Sequence, residues 1–136
     1  MAAEAVIIEL LGNPRGRPIR YTCADGTAIA KGAICKITDP RTTITMTGID
    51  NPIAGIAAAE KVANDGSTTI SVYTDGIFDI TAAAAGAQDI GKFAAPSATV
   101  NMFTAADAAD LTQNSIIGYL MEAADNDETV AVRVDK

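Results

Sequence analysis

Alternation of apolar and polar residues is the dominant pattern of this chain from residue 19 onward. The alternation is strict at 43–47, 69–73 and 129–134, and a period of two places successive side chains on opposite faces of a β-strand. Less regular apolar segments between turn residues extend the pattern. It predicts ten strands in all, at 19–23, 33–38, 42–47, 53–58, 68–73, 77–81, 91–94, 98–103, 116–121 and 129–134.

Turn residues separate the predicted strands and leave little room for helix. Turn pairs stand at Asp25-Gly26, Asp39-Pro40, Asp65-Gly66 and Asp75-Gly76. In such pairs glycine accepts positive φ and proline fixes φ. A helix of one or two turns is predicted at 104–111, with Thr104 as its N-cap. The alanine-rich segments at 57–62 and 82–85 are predicted to be strand ends or loops, because strong turn signals flank them.

The anchor residues of these strands recur in the same order about 60 residues later along the chain. Gly32 corresponds to Gly91, Gly55 to Gly118, and Ile70 to Val130, at offsets of 59, 63 and 60. The alternative is chance similarity among alternating strands. A true repeat has a physical meaning, because a small sheet with one apolar face is unstable alone and must pack or close against its copy.

The predicted fold is therefore all-β, a small β-barrel or sandwich built from two repeated halves. The halves span about residues 26–80 and 85–135 of a single β-barrel domain at 19–136. Glycines are expected where strands bend sharply. Closure would also remove sheet edges, which an aliphatic, threonine-rich sheet needs in order to avoid aggregation.

Residues 1–18 are predicted to form an extended N-terminal arm with an apolar tip and a basic linker. Gly12, Pro14, Gly16 and Pro18 break regular structure in the linker. An exposed apolar tip implies a partner surface that covers it. The alternative is an ordinary first strand followed by a long loop. The residues predicted to bind a partner are Val6, Ile7, Ile8, Leu10, Arg15, Arg17 and Arg20.

Composition argues against catalysis. The chain has no histidine and no tryptophan, and aromatic residues make up only 4%. Without histidine the usual general base, metal ligand and Ser-His or Cys-His nucleophile systems are missing. Cys23 and Cys35 are the only soft metal ligands, too few for a cysteine-histidine zinc site. We expect no metal, no cofactor and no enzymatic activity, and we expect both thiols to be free rather than bridged across a hairpin.

Two acidic motifs are candidates for metal binding or acid–base catalysis. The run at 125–128 contains three carboxylates, but the repeat aligns it with Asn64-Asp65-Gly66, so we interpret it as a hairpin turn rather than a calcium loop. Asp75 and Asp79 could share acid–base work. No nucleophile accompanies them, so both are interpreted as surface carboxylates.

Charge is unevenly distributed along the chain. The net charge is −7, with six basic and four acidic residues in 1–41 and four basic and thirteen acidic residues in 42–136. An acidic body disfavours nucleic acid as a partner. The basic N-terminal stretch can seek an acidic protein surface, or the asymmetry only aids solubility. No apolar run is long enough to span a membrane, and no secretory signal begins the chain.

Residues 26–37 contain small residues followed by an apolar residue, a Lys-Gly pair, an apolar stretch, a second Lys and a final apolar residue. The segments 52–57 and 69–78 come after them in the chain. This order resembles tailed-virus capsid decoration (cement) proteins of the small β-barrel type. The later segments 90–92 and 116–118 are similar to the second half of that family. The resemblance covers about residues 20–134, and the basic arm before residue 20 is not mapped onto the family.

The resemblance implies a structural protein on the outer surface of a viral head, made in the host cytoplasm. Its partners would be the major capsid protein, whose subunit contacts it stabilises, and further copies of itself in a homotrimer, with no nucleic acid and no membrane. The alternative is a non-catalytic surface- or carbohydrate-binding β-domain, since barrels host many ligands. The poverty of aromatic residues argues against sugar stacking, and an enzyme using Asp75 and Asp79 is the weakest hypothesis.

Overall fold

The computed structural model describes residues 3–9 and 17–136, and this part of the chain is almost entirely β-structure. It has one short helix, α1, at Ala108–Thr112. The all-β prediction with little helix is confirmed. The strands are β1 Val6–Glu9, β2 Ile19–Thr22, β3 Ile34–Thr38, β4 Thr42–Thr45, β5 Ile53–Ala57, β6 Thr69–Tyr73, β7 Asp75–Ala82, β8 Phe93–Pro96, β9 Met102–Ala105, β10 Gly118–Leu120 and β11 Thr129–Asp135.

Strands β2 to β6 form a closed five-stranded barrel, here called the first barrel. Its strand order is β2-β4-β3-β5-β6, with β6 returning to β2. All neighbours are antiparallel except β2 and β4, which meet in parallel where Thr22 lies opposite Thr42. This single parallel contact closes the sheet, so no strand of the barrel is left with a bare edge.

Strands β7 to β11 repeat this topology in a second barrel. The order is β7-β9-β8-β10-β11, and the closing contact is again parallel, between Thr81 of β7 and Met102 of β9. Gly32 and Gly91 both take positive φ, at 86° and 83°, in equivalent turns. The prediction of a barrel fold from two repeated halves is confirmed.

Two glycines allow the last strands of each barrel to approach closely. A Cβ on Gly55 would collide with the carbonyl oxygen of Tyr73, and one on Gly118 would collide with the carbonyl oxygen of Arg133. These glycines occupy equivalent positions in β5 and β10. Each barrel therefore needs a residue without a side chain where β5 meets β6 and where β10 meets β11.

The interior is aliphatic and forms two clusters. One lies inside the first barrel and includes Cys35, Ile70 and Val72. The other runs from Ile34 and Ile56 of the first barrel to the fully buried residues of the second. A buried hydrogen bond also links the barrels, because the backbone N–H of Ile34 donates to Asn101 Oδ1 at 2.9 Å. One of the two clusters therefore extends across both barrels.

Several details of the sequence prediction are wrong. The predicted turn pair Asp75-Gly76 lies within β7, where it pairs with Asp135 and Val134 of β11. Strand β8 is Phe93–Pro96 rather than 91–94, because the turn at Gly91 takes the positions before it. Strand β9 is Met102–Ala105 rather than 98–103, because the turn before it ends at Asn101 with a φ of 63°. The N-cap of α1 is Asp107 rather than Thr104, since Asp107 and Asp110 form a capping box.

The substitution Gly118→Ala tests the close approach of β10 and β11. The added methyl group meets a backbone carbonyl that cannot rotate away, so we expect a loss of about 3 kcal/mol in the free energy of unfolding. Gly26→Ala is the matched control, because Gly26, like Gly118, has no positive φ, and an added Cβ there would meet only Asn64 Oδ1 at 3.7 Å, an ordinary van der Waals distance. Urea unfolding of both variants measures the difference, and equal losses would contradict the account.

Candidate interaction surface

The N-terminal strand β1 fills the part of the β7 edge that the second barrel leaves open. The C-terminal end of β7 pairs with β9 at Thr81 and Ala82. The N-terminal part pairs instead with β1, where Val6 lies opposite Asp79 and Ile7 opposite Phe78. Since β7 is bonded to β11 along its other edge, β1 is an edge strand added to a barrel that closes without it.

The residues just before β1 attach it to the first barrel as well. The backbone N–H of Ala5 donates to the carbonyl oxygen of Gly32 at 2.7 Å, and the Ala5 side chain is buried. A Cβ on Gly32 would stand 2.5 Å from the carbonyl oxygen of Ala5. Glycine at this position therefore permits the N-terminal segment to lie across the junction of the two barrels.

The outer side of β1 borders an open groove. The groove is lined by residues Glu4 to Ile7 on one side and by Lys31, Gly32, Ile56 and Ala57 on the other. The backbone N–H and C=O groups of successive residues point to alternate sides of a strand. The N–H and C=O of Ile7 therefore point to the same side as the N–H of Ala5, which donates to Gly32. Val6 is 60% exposed and Ile7 is 37% exposed. In the part of the chain that the structure describes, no strand pairs with the outer edge of β1. Such an edge beside an apolar floor is the geometry that accepts an added strand.

The structure separates the residues predicted to bind a partner. Val6 and Ile7 lie exposed on β1, and Ile8 is in the same strand. Arg17 and Arg20 are exposed at the start of the first barrel, with Arg20 opposite Ser71. Leu10 and Arg15 lie outside the described residues. The pattern of the sequence gave no signal for Ala5 and Gly32, because their role depends on a contact between segments distant along the chain.

The two cysteines are unsuited to chemistry. Cys23 and Cys35 are free and buried, as expected for free thiols. Burial raises the pKa of the Cys35 thiol to about 12. Burial also raises the pKa of the Cys23 thiol, although the nearby Lys61 partly opposes this. A thiolate is the reactive form, so both sulfurs are protected in the folded protein.

A buried lysine links two turns at one end of the first barrel. The side chain of Lys61 is 2% exposed, and its Nζ lies 2.6 Å from Asp65 Oδ1 and 3.3 Å from Asp25 Oδ1. Nζ also donates to the carbonyl oxygens of Asp25 and Val62, at 2.9 and 2.8 Å. Desolvation opposes the charge, but the hydrogen bonds to Asp65 and Asp25 prevail and raise the pKa of Lys61. The cluster has a structural role, because its carboxylate and carbonyl oxygens all accept hydrogen bonds from the Lys61 ammonium group.

The acidic motifs have structural positions. The run at 125–128 is a hairpin turn, in which the N–H of Glu128 donates to the carbonyl oxygen of Asp125 at 3.2 Å. Asp79 is partly exposed on the outer face, opposite in direction to Phe78. The prediction that Asp75 is a surface carboxylate is wrong: it is buried, and Arg133 Nη2 stands 3.8 Å from its Oδ1. Within the described ranges no three histidine, cysteine or acidic residues are grouped to hold a metal.

Comparison with known proteins identifies the family. The family model for phage cement proteins matches residues 14–135. That range covers both barrels, so the chain belongs to the phage cement protein family. No curated protein matches the chain. The family assignment agrees with the resemblance found in the sequence and gives the protein a structural role in the phage capsid.

In residues 3–9 and 17–136, no helix has the length and apolar character needed to cross a bilayer.

The Lys61 cluster predicts a specific dependence of stability on pH. Hydrogen bonds from Lys61 and from the Ser67 N–H lower the pKa of Asp65. A lowered carboxyl pKa contributes stability above its unfolded value of about 3.9, and this is lost as the pH falls through the folded pKa. The raised pKa of Lys61 contributes stability below about pH 10.4 that is lost at higher pH.

We therefore expect the melting temperature of Lys61→Met to lie furthest below that of the wild type between about pH 5 and 9. The gap should begin to narrow below about pH 4, the ordinary pKa of an aspartate, and should shrink further as the pH falls through the lowered pKa of Asp65. Lys31→Met is the matched control, because Lys31 is exposed in the same barrel. Thermal melts followed by circular dichroism measure both variants, and a gap that widens in acid would contradict the role of the cluster.

Proposed function

We propose that this protein binds the outer surface of a phage head and holds neighbouring major capsid subunits together, acting as a homotrimer. The observation that carries the proposal is the cement family match over residues 14–135. A cement protein needs surfaces rather than reactive groups. The exposed edge strand β1 and the groove beside it supply one such surface.

The apolar half of the N-terminal arm is the part proposed to contact the major capsid protein. An extended segment of the capsid protein adds to the free edge of β1 and gains backbone hydrogen bonds there. Val6 and Ile7 gain buried area in the same contact, since both are exposed in the chain alone. Ile8 and Leu10 continue this apolar stretch in the sequence. Repetition of the contact around a symmetric shell turns modest affinities into durable attachment.

Deletion of residues 1–18 tests the arm. The two barrels close without β1, so we expect the truncated protein to keep its β-sheet circular dichroism and to lose binding to undecorated heads. Binding is measured by co-sedimentation of purified protein with heads that lack it. Normal decoration by the truncated protein would overturn the role of the arm.

A single substitution avoids the effects of a long deletion. Ile7→Asp places a charge on the exposed side of β1, and we expect head binding to weaken by roughly tenfold or more. Ile49→Asp is the matched control, because Ile49 is an exposed isoleucine far along the chain in the loop before β5. Equal binding by the two variants would show that β1 does not contact the head.

A further inference from the structure

The two barrels differ sharply in charge although they share one topology. Residues 19–73 contain five basic and five acidic residues, and residues 1–18 contain two of each. Residues 75–136 contain three basic and ten acidic residues, so the whole net charge of −7 resides on the second barrel. The two repeats share one fold but differ in charge, so the molecule has one acidic end and one nearly neutral end. This difference favours association between unlike ends of two copies.

An exposed apolar patch lies on the acidic barrel and is named here the second-barrel patch. It consists of Ile90, Phe93, Tyr119 and Met121. Phe93 lies directly opposite Tyr119 across β8 and β10, and Met121 follows Tyr119 by two residues on the same face. The N–H of Gly91 donates to the carbonyl oxygen of Leu120 at 2.8 Å, which brings Ile90 alongside Met121.

The patch is formed by large side chains that are exposed to solvent. Ile90 is 64% exposed, Phe93 47% and Met121 40%. Exposed apolar groups that cluster and carry a polar rim are typical of protein interaction sites.

Carboxylates rim this patch. Asp89 precedes Ile90 and Glu122 follows Met121 in the sequence, and both are exposed. The turn at 125–128 lies close by, because Gln88 pairs with Ala124 and the N–H of Ala87 donates to Asn126 Oδ1 at 3.1 Å. Two basic side chains also border the patch: Lys92 is exposed beside Phe93, and Arg133 Nη1 donates to the Tyr119 hydroxyl at 3.4 Å. The carboxylates around the patch outnumber these two cations, so an occupant needs apolar side chains accompanied by positive charge.

We propose that the second-barrel patch binds the basic segment 15–20 of a second copy of this chain. That segment carries Arg15, Arg17 and Arg20 without an acidic residue, and Ile19 within it is 40% exposed. Its charge and its apolar residue both match the patch and its rim. The proposal rests on the self-association included in the proposed function, and it assigns the basic half of the arm to that contact.

Ile19 is held in β2 of the first barrel, away from the second-barrel patch of its own chain. Ile19 lines a cavity with Asp135 and Lys136, at the C-terminal end of β11. The N–H of Met121 donates to the carbonyl oxygen of Ala131. Ala131 precedes Asp135 by four residues on β11, which is about 13 Å along the strand. A contact between two different surfaces of identical chains is head-to-tail, and it closes into a ring when the rotation allows.

Charge reversal tests the proposal with purified protein. Asp89→Lys with Asp125→Lys reverses two rim charges, and Arg17→Glu with Arg20→Glu reverses the segment. We expect each pair to shift self-association to at least roughly tenfold higher concentration, and the four substitutions together to restore it. Phe93→Ser should weaken association similarly, whereas Ile49→Ser, a substitution at another exposed apolar residue, should not. Sedimentation velocity at low and moderate salt gives the readout.

Several outcomes would overturn the proposal. One is a wild type that stays monomeric at its highest soluble concentration. A second is self-association that neither charge-reversal pair changes, and a third is a fourfold variant that does not restore self-association. Rim variants that self-associate normally but fail to bind heads would assign the patch to the capsid protein instead. Head binding is measured separately, so a wild type that stays monomeric and still binds heads would refute only this inference and the trimer, and would leave the proposed contact between β1 and the head standing.

Discussion

The close approach of backbone strands at Gly55 and Gly118 is the constraint on which the architecture depends. Five short strands close into a barrel only if two neighbours come near enough for their backbones to touch, and any side chain there would strike a carbonyl group. Small aliphatic side chains fill the narrow interiors, which explains a core that uses few aromatic residues. Closure then leaves β1 as the strand whose outer edge is available for pairing with another chain.

The sequence predicted the barrels well because their signal is local. Strict alternation marks buried and exposed faces residue by residue, and glycine and aspartate mark the turns. One error arose where a non-local contact decides the outcome, and others arose where two local signals compete. Asp75 has the sequence context of a surface strand end, yet the approach of Arg133 from β11 covers it. The N-cap of α1 moved to Asp107 because the capping box with Asp110 outweighs a threonine three residues earlier.

The interaction surfaces were harder to foresee than the fold. Exposed apolar residues in the N-terminal segment were identified, but the groove beside them is completed by Gly32 and Ile56 of the first barrel, which alternation assigns only to turns and core. The second-barrel patch combines residues of β8 and of the strand end after β10, and only the register between them makes it one surface. Lys61 and Cys35 are buried, while the groups proposed to contact partners are backbone edges, aliphatic side chains and charges.

The central claim is that this phage cement protein strengthens a capsid through contacts with its shell. The most direct measurement is the temperature at which DNA-filled heads release their DNA, followed by a fluorescent dye, with and without saturating purified protein. The account predicts that decorated heads open at a higher temperature than undecorated heads. Identical release temperatures, with the protein demonstrably bound, would contradict it.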